Sequence, residues 1–238
     1  MHESGRTYFE SMRFIKSKEV ATDLEKDIGQ RLVEKPMYVQ FDEVLVKRLA
    51  SNALQSPRAV SYYKGRKITQ DSVSKFSLGY SEAQDMVTIP VHAPDGMLLG
   101  FVGRSVEGKE FKNTPGLPKG KTLFNLHRVK TSKQVYVVES SFDAIRLDQC
   151  GFPAVATLGS NVSNFQMDLL KKYFNDIIVI ADNDDAGSSM VQRLQEKLGH
   201  RVSVVHLEKQ YKDIGDMEDD DIRKINGDLS NFIEQILT

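Results

Sequence analysis

The chain has 238 residues, 40% of them hydrophobic and 27% charged, a formal net charge of −1 and one cysteine. That length can bury a substantial core in one domain or two small ones, while a single cysteine excludes an internal disulfide and a cysteine-cluster zinc site. No apolar run approaches the ~18 residues of a membrane span, and MHESGRTYFESMRF at the start has no apolar stretch of signal-peptide type, so a reducing cytoplasm is the expected setting.

Residues 1–55 read as mostly helical with a weak period and carry no assignable chemistry. SPRAVSYYKGRKITQDSVSKFSLGY (56–80) predicts two short helices separated by a GRKIT turn. DMVTIPVHAPDGMLLGFVGRSV (85–106) predicts a hairpin, two apolar strands around A-P-D-G, ending near Arg104. Lys112, Lys119, Lys121, Arg128 and Lys130 follow among prolines and glycines, in a loop expected to be exposed and open to phosphates. Tyr62, Tyr63, Phe111 and Phe124 lie between these cations and could stack bases, although core packing is the favoured reading for each. His127 is expected at the surface and Cys150 as buried filler.

From Gln134 the pattern becomes regular. QVYVVES, AVATLG, IIVIA and RVSVVHL are β-rich runs. Between them lie helical segments whose predicted inward stripes are Phe142, Ile145 and Gln149, then Phe165, Leu169 and Tyr173, then Met190, Val191, Leu194 and Leu198. Strict alternation of strand and helix argues for an α/β fold with a parallel sheet covered on both faces, whose ligands gather at the carboxyl ends of the strands.

Charge divides along the same line. Residues 1–135 hold 22 Lys and Arg against 15 Asp and Glu, whereas residues 136–238 hold 10 against 18. One part suits an anion and the other suits cations; a solvated charged face is the plain alternative. Glu139 ends the first parallel strand, with Asp143 one helical turn on. Asp182, Asp184 and Asp185 follow the third, and Asp213 and Asp216 the fourth. Right-handed crossovers bring these ends to one edge. Asp185 and Asp216 read equally well as caps. Carboxylates so crowded repel one another unless a cation lies between them, and an oxygen-only cluster suits Mg²⁺ or Mn²⁺.

VVESSFDA, TLGS, IADNDDAG and KDIGDM resemble the successive signatures of a Toprim domain. IPVHAPDGMLLGFVGR, FKNTP, LPKGKTLFNL and SYYKGRKI resemble the basic region that precedes it in DNA primases of the bacterial and bacteriophage type. The resemblance runs from about residue 56 to about 220. It implies a Toprim domain over 134–238, a parallel sheet of about four strands flanked by helices and followed by a helical tail. A smaller mixed α+β basic subdomain would precede it over 56–133.

By the same resemblance, Glu139, Asp182 and Asp184 are catalytic and metal-binding, and Asp143 and Asp213 are supporting metal acids. Arg66, Arg104, Lys112, Lys119 and Lys121 would bind nucleotide or template. The implied reaction is synthesis of short RNA primers on single-stranded DNA from NTPs, using two or more Mg²⁺ or Mn²⁺ ions and no zinc. Three departures stand out. Ser140 replaces the usual glycine, Glu110 replaces a lysine that Lys109 or Lys112 would have to substitute, and the zinc ribbon is missing. A zinc-ribbon module and a replicative helicase are therefore expected in trans, in the cytoplasm of a bacterial host if the chain is of phage origin. A Toprim nuclease and a non-catalytic nucleic-acid or helicase-binding module are the rival readings.

Overall fold

The structure is a computed structural model describing residues 43–183 and 185–225. The sequence-based expectations for 1–42, Asp184 and the tail 226–238 lie outside the described residues.

The chain enters through α1 (Glu43–Gln55), α2 (Pro57–Gly65) and α3 (Gln70–Lys75). Ser56 and Thr69 start the second and third helices, each side chain accepting a backbone N–H three residues on. Between them the chain turns through Lys67, whose φ is +57°. β1 (Gly79–Ser81), β2 (Met86–His92), β3 (Leu98–Ser105) and β4 (Phe111–Asn113) form an antiparallel sheet in that order. The A-P-D-G turn joins β2 to β3, with Gly96 at φ +97°.

The second sheet is parallel. β5 (Gln134–Val138), β6 (Ala154–Ala156), β7 (Asp176–Ile180) and β8 (Val202–Val205) lie in the order β6-β5-β7-β8. Its strands are apolar on both faces, and alternation assigns each residue to one of two cores. Tyr136, Val138, Ile178 and Ile180 face the core that includes α5 (Ser141–Gln149) and extends to Phe76, Leu78, Val87 and Val102. Val135, Val137, Ile177 and Val179 face the other core, beneath α6 (Asn164–Tyr173) and α7 (Asp185–Leu198). Full burial of each such side chain contributes roughly 1.5–3 kcal/mol.

The first core shows that the two sheets share one hydrophobic interior. Arg146, 1% exposed, ties α5 to the turn between α2 and α3 and to the segment that follows β8. Its guanidinium donates to Lys67 O at 3.0 Å and Met217 O at 2.7 Å, and it pairs with Asp219.

Local expectations differ in several places, Phe111 among them: core packing is its expected role, and it is 61% exposed. Phe165 is 51% exposed, and Gln166, Met167, Leu169 and Leu170 are the buried positions of its helix. The stripe is displaced because Ser163 and Gln166 form a capping box that turns the Gln166 amide inward. The basic loop is exposed only in part, since Thr122, Leu123, Phe124, Asn125 and Leu126 are buried. Phe124 forms an antiparallel bridge to Ala156 and stacks on Phe76 at 5.8 Å. His127 is half-buried against His92, ring centroids 4.5 Å apart, in place of a surface position.

Candidate active site

Strand order fixes where the site must be. The crossover from β5 to β6 places α5 on one face, whereas the connections from β6 to β7 and from β7 to β8 place α6 and α7 on the other. The chain therefore departs in opposite directions from the adjacent ends of β5 and β7, leaving a crevice between them. Val137 pairs with Val179. Glu139 thus emerges two residues beyond one paired position, and Asp182 three residues beyond its neighbour.

A cavity of about 740 Å³ opens there. Glu139, Asp143, Asp182, Asp213 and Asp216 line it together with Arg66, Arg104, Lys119 and Lys212. Ile89, Val102, Arg104, Phe111 and Asn113 come from one face of the antiparallel sheet. Most of the residues expected at a site are thus brought together. Lys112 is not among them: it pairs with Gly103, between Phe111 and Asn113, so strand alternation sends it to the opposite face. Lys121 also lies outside the cavity lining, in the exposed part of the 119–121 turn.

Asp143, Asp213 and Asp216 are held locally. Ser140 caps α5, its hydroxyl accepting the Asp143 N–H at 3.2 Å and donating to Asp143 Oδ2 at 2.6 Å. Burial pushes the Asp143 carboxyl up to about 7; the Ser140 hydroxyl and Gly215 N–H oppose the shift, and repulsion from Asp213 and Asp182 adds to it. Gly187 explains its place in D-x-D-x-x-G, because a Cβ there would stand 2.4 Å from Asp182 O and 3.0 Å from Asp182 N. Only glycine lets α7 start so close to the strand end.

The last acidic loop is pinned to that end as well. Asn183 N–H donates to Lys212 O at 3.0 Å and its side chain to Tyr211 O at 2.8 Å. Asp216 Oδ2 accepts Lys212 N–H at 3.0 Å, so Asp216 braces its own loop, whereas the cap of that turn is Asp213 and not Asp216. Asp213 Oδ1 accepts Asp216 N–H at 3.2 Å.

The basic wall is organised with equal care. Gln166, 1% exposed, donates to Lys119 O at 3.1 Å, Thr122 O at 3.0 Å and Thr157 O at 2.8 Å. That buried amide anchors the Lys119 turn on the parallel sheet. Arg66 lies over Tyr62 and Phe142 at 5.6 and 5.8 Å. Arg104 lies over Phe111 at 4.0 Å. Among the described residues none of Arg66, Arg104, Lys119 and Lys212 forms an ion pair, although five carboxylates line the same cavity. Opposite charges are thus gathered on one cavity without these four cations pairing to its acids.

Comparison with known proteins narrows what the cavity serves. A family model described as Toprim-like matches residues 136–218. A DNA primase of Mycoplasma genitalium is 32% identical over 166 residues, covering 63% of this chain and 27% of that protein. An uncharacterized protein of the same organism is 31% identical over 172 residues, covering 67% of this chain and 79% of that protein. The chain belongs to the Toprim-type DNA primase family.

A primase of Synechococcus elongatus is 37% identical over 126 residues, 48% of this chain and 18% of that protein. The chain thus spans only 18–27% of these two primases. The Toprim primase fold is seen directly in two solved structures. The zinc-binding and RNA polymerase domains of the Aquifex aeolicus primase superpose with a TM-score of 0.68 at 24% identity, over 78% of this chain and 59% of that one. The DnaG catalytic domain bound to single-stranded DNA gives 0.66 at 18% identity, over 78% and 79%.

The donor set fits a hard divalent cation: every acidic side chain at the crevice offers carboxylate oxygen, with neither sulfur nor imidazole in the lining. Burial first, and repulsion from Asp213 and Asp182 after it, displace Asp143 upward, and a bound cation would oppose both. Among the described residues no three of these groups already stand close enough to hold one ion together. Asp184, two residues from Asp182, lies outside the described residues.

Proposed function

We propose that this chain joins ribonucleotides on a single-stranded DNA template, making short RNA primers with divalent ions, Mg²⁺ or Mn²⁺, at the β5–β7 crevice. The observation that supports it is the shared cavity, where Glu139, Asp143 and Asp182 meet Arg66, Arg104 and Lys119. Glu139 and Asp182, with Asp184, would hold the ions, and Asp143 and Asp213 would support them. When bound, the ions supply Lewis-acid stabilisation of the negative charge on the attacking and departing oxygens.

The chain's own groups do the rest. Glu139, at the end of the strand beside that of Asp182, would either complete the ions' shell or accept the proton of an attacking 3′-hydroxyl. Arg66, Arg104 and Lys119 present unpaired positive charge to triphosphate and template phosphates. Gln166 and Asn183 keep the two walls in register without touching substrate.

The test is incubation with single-stranded DNA, NTPs and Mg²⁺, with and without a replicative helicase and a zinc-ribbon module supplied in trans. Oligoribonucleotide products are expected. Shortened template with no incorporation would assign a nuclease instead. No incorporation in either arm would overturn the proposal.

A further inference from the structure

We infer that Phe111 is a stacking platform for a base of single-stranded DNA, with Arg104 packed against its ring. The inference rests on the reading that this cavity handles nucleic acid, and it adds a contact that this reading does not require.

Phe111 is 61% exposed, yet it lines a charged cavity. The neighbouring aromatics are accounted for by packing. Tyr63 and Phe124 are buried, and Tyr62 packs on Tyr63 and Phe142, each with a centroid separation of 6.0 Å. The other exposed large apolar side chains, Val44, Leu54, Val60, Met97 and Phe165, stand outside this cavity. A ring left 61% exposed within a charged cavity, with only Arg104 against it, offers its open surface to a ligand with a flat apolar face.

Its setting says which ligand. Arg104 is the cross-strand partner of Phe111, its guanidinium carbon 4.0 Å from the ring centroid. The Arg104 Nε is buried without a hydrogen-bond partner. A guanidinium held against one aromatic ring stiffens the pair and adds positive charge beside the exposed surface. Aromatic rings set among cations are how proteins grip single strands with little sequence preference. β4 is moreover the edge of its sheet, in the order β1-β2-β3-β4, so the platform lies on an open flank suited to a polymer. The acids that would serve a triphosphate's metal ions project from the parallel sheet instead.

The chain contains no tryptophan, so F111W introduces a single fluorophore at the platform. Titration with a ~20-nucleotide oligo-dT, without NTP or metal, should quench that emission. K112W, one residue away on the opposite strand face, should stay unquenched. F111A should weaken oligo-dT binding about 5- to 160-fold, the range for losing one stacked base, and F111Y should bind like the parent.

Undiminished F111W emission at saturating oligo-dT would overturn the inference, as would quenching by Mg²⁺–NTP alone. Primer synthesis is measured separately on the parent. Its absence alongside a quenched Trp at 111 would remove the proposed reaction and leave the stacking contact established; synthesis without quenching would do the reverse.

Discussion

Ser140 and Asp143 exchange two hydrogen bonds across the first turn of α5: the hydroxyl accepts the Asp143 N–H at 3.2 Å and donates to its carboxylate at 2.6 Å. One residue thus starts the helix and helps keep a buried acid ionised. S140A should cost about 1 kcal/mol of stability as a lost cap, and S140G only a few tenths. Both remove a donor that lowers the Asp143 pKa, which already stands at about 7. Both variants should therefore bind Mn²⁺ more weakly than the parent at pH 7 and approach it at pH 8.5. Urea midpoints and Mn²⁺ titrations by electron paramagnetic resonance check the two halves separately.

Arg104 lines the cavity and Lys112 does not, although they lie on adjacent paired strands. If Arg104 neutralises one template phosphate, R104A should lower the slope of log K against log salt by ~0.7, the single-strand value per contact. K112A should leave the slope unchanged. Anisotropy of a labelled oligonucleotide over a salt series separates them, and an equal loss in both variants would show that the binding track does not follow the cavity wall.

His92 and His127 stand ring to ring with their Nδ1 atoms buried and without hydrogen-bond partners. Burial, reinforced by Arg128, lowers His92 to about 4 and His127 to about 3. In the unfolded chain each would titrate near ~6.5. Below that value the unfolded state binds protons that the folded state refuses, so stability should fall as the pH drops from about 6.5 towards 4. H127Q should flatten the fall by up to one proton's worth of slope. Urea midpoints at pH 7.5, 6.5 and 5.5 provide the check.

The parallel sheet is written plainly in the sequence because its strands are buried on both faces, and runs such as IIVIA have no other stable reading. Glu139 and Asp182 are legible for the same reason: charges that abruptly end such runs must stand at the sheet's edge. Lys112 was not legible, since β4 has only three residues and the facing of its side chains depends on its pairing with β3. Gln166 was not legible as an anchor. Its three tertiary acceptors come from a loop more than 40 residues earlier and a strand end, which helix periodicity does not register. Arg146 resembles a surface cation on a short helix until the segment around Met217 folds over it. Leu123 was hidden by the lysines that precede it, a case of composition masking a local apolar run, whereas core packing was already the favoured reading of Phe124. Lys212 entered the sequence only as part of a motif, and its place in the cavity comes from the pinning of its loop by Asn183.

The account stands on a separation of tasks between an acidic edge that holds cations and a basic wall that holds nucleic acid. Asp182→Asn, assayed side by side for ribonucleotide incorporation and oligonucleotide binding, tests it most directly. Incorporation should fall roughly 100-fold or more, as expected when a metal-holding carboxylate is lost, while DNA affinity stays within about twofold, since the phosphate contacts are untouched. Incorporation at the parent rate, or a loss of DNA affinity as large as the loss of synthesis, would contradict it.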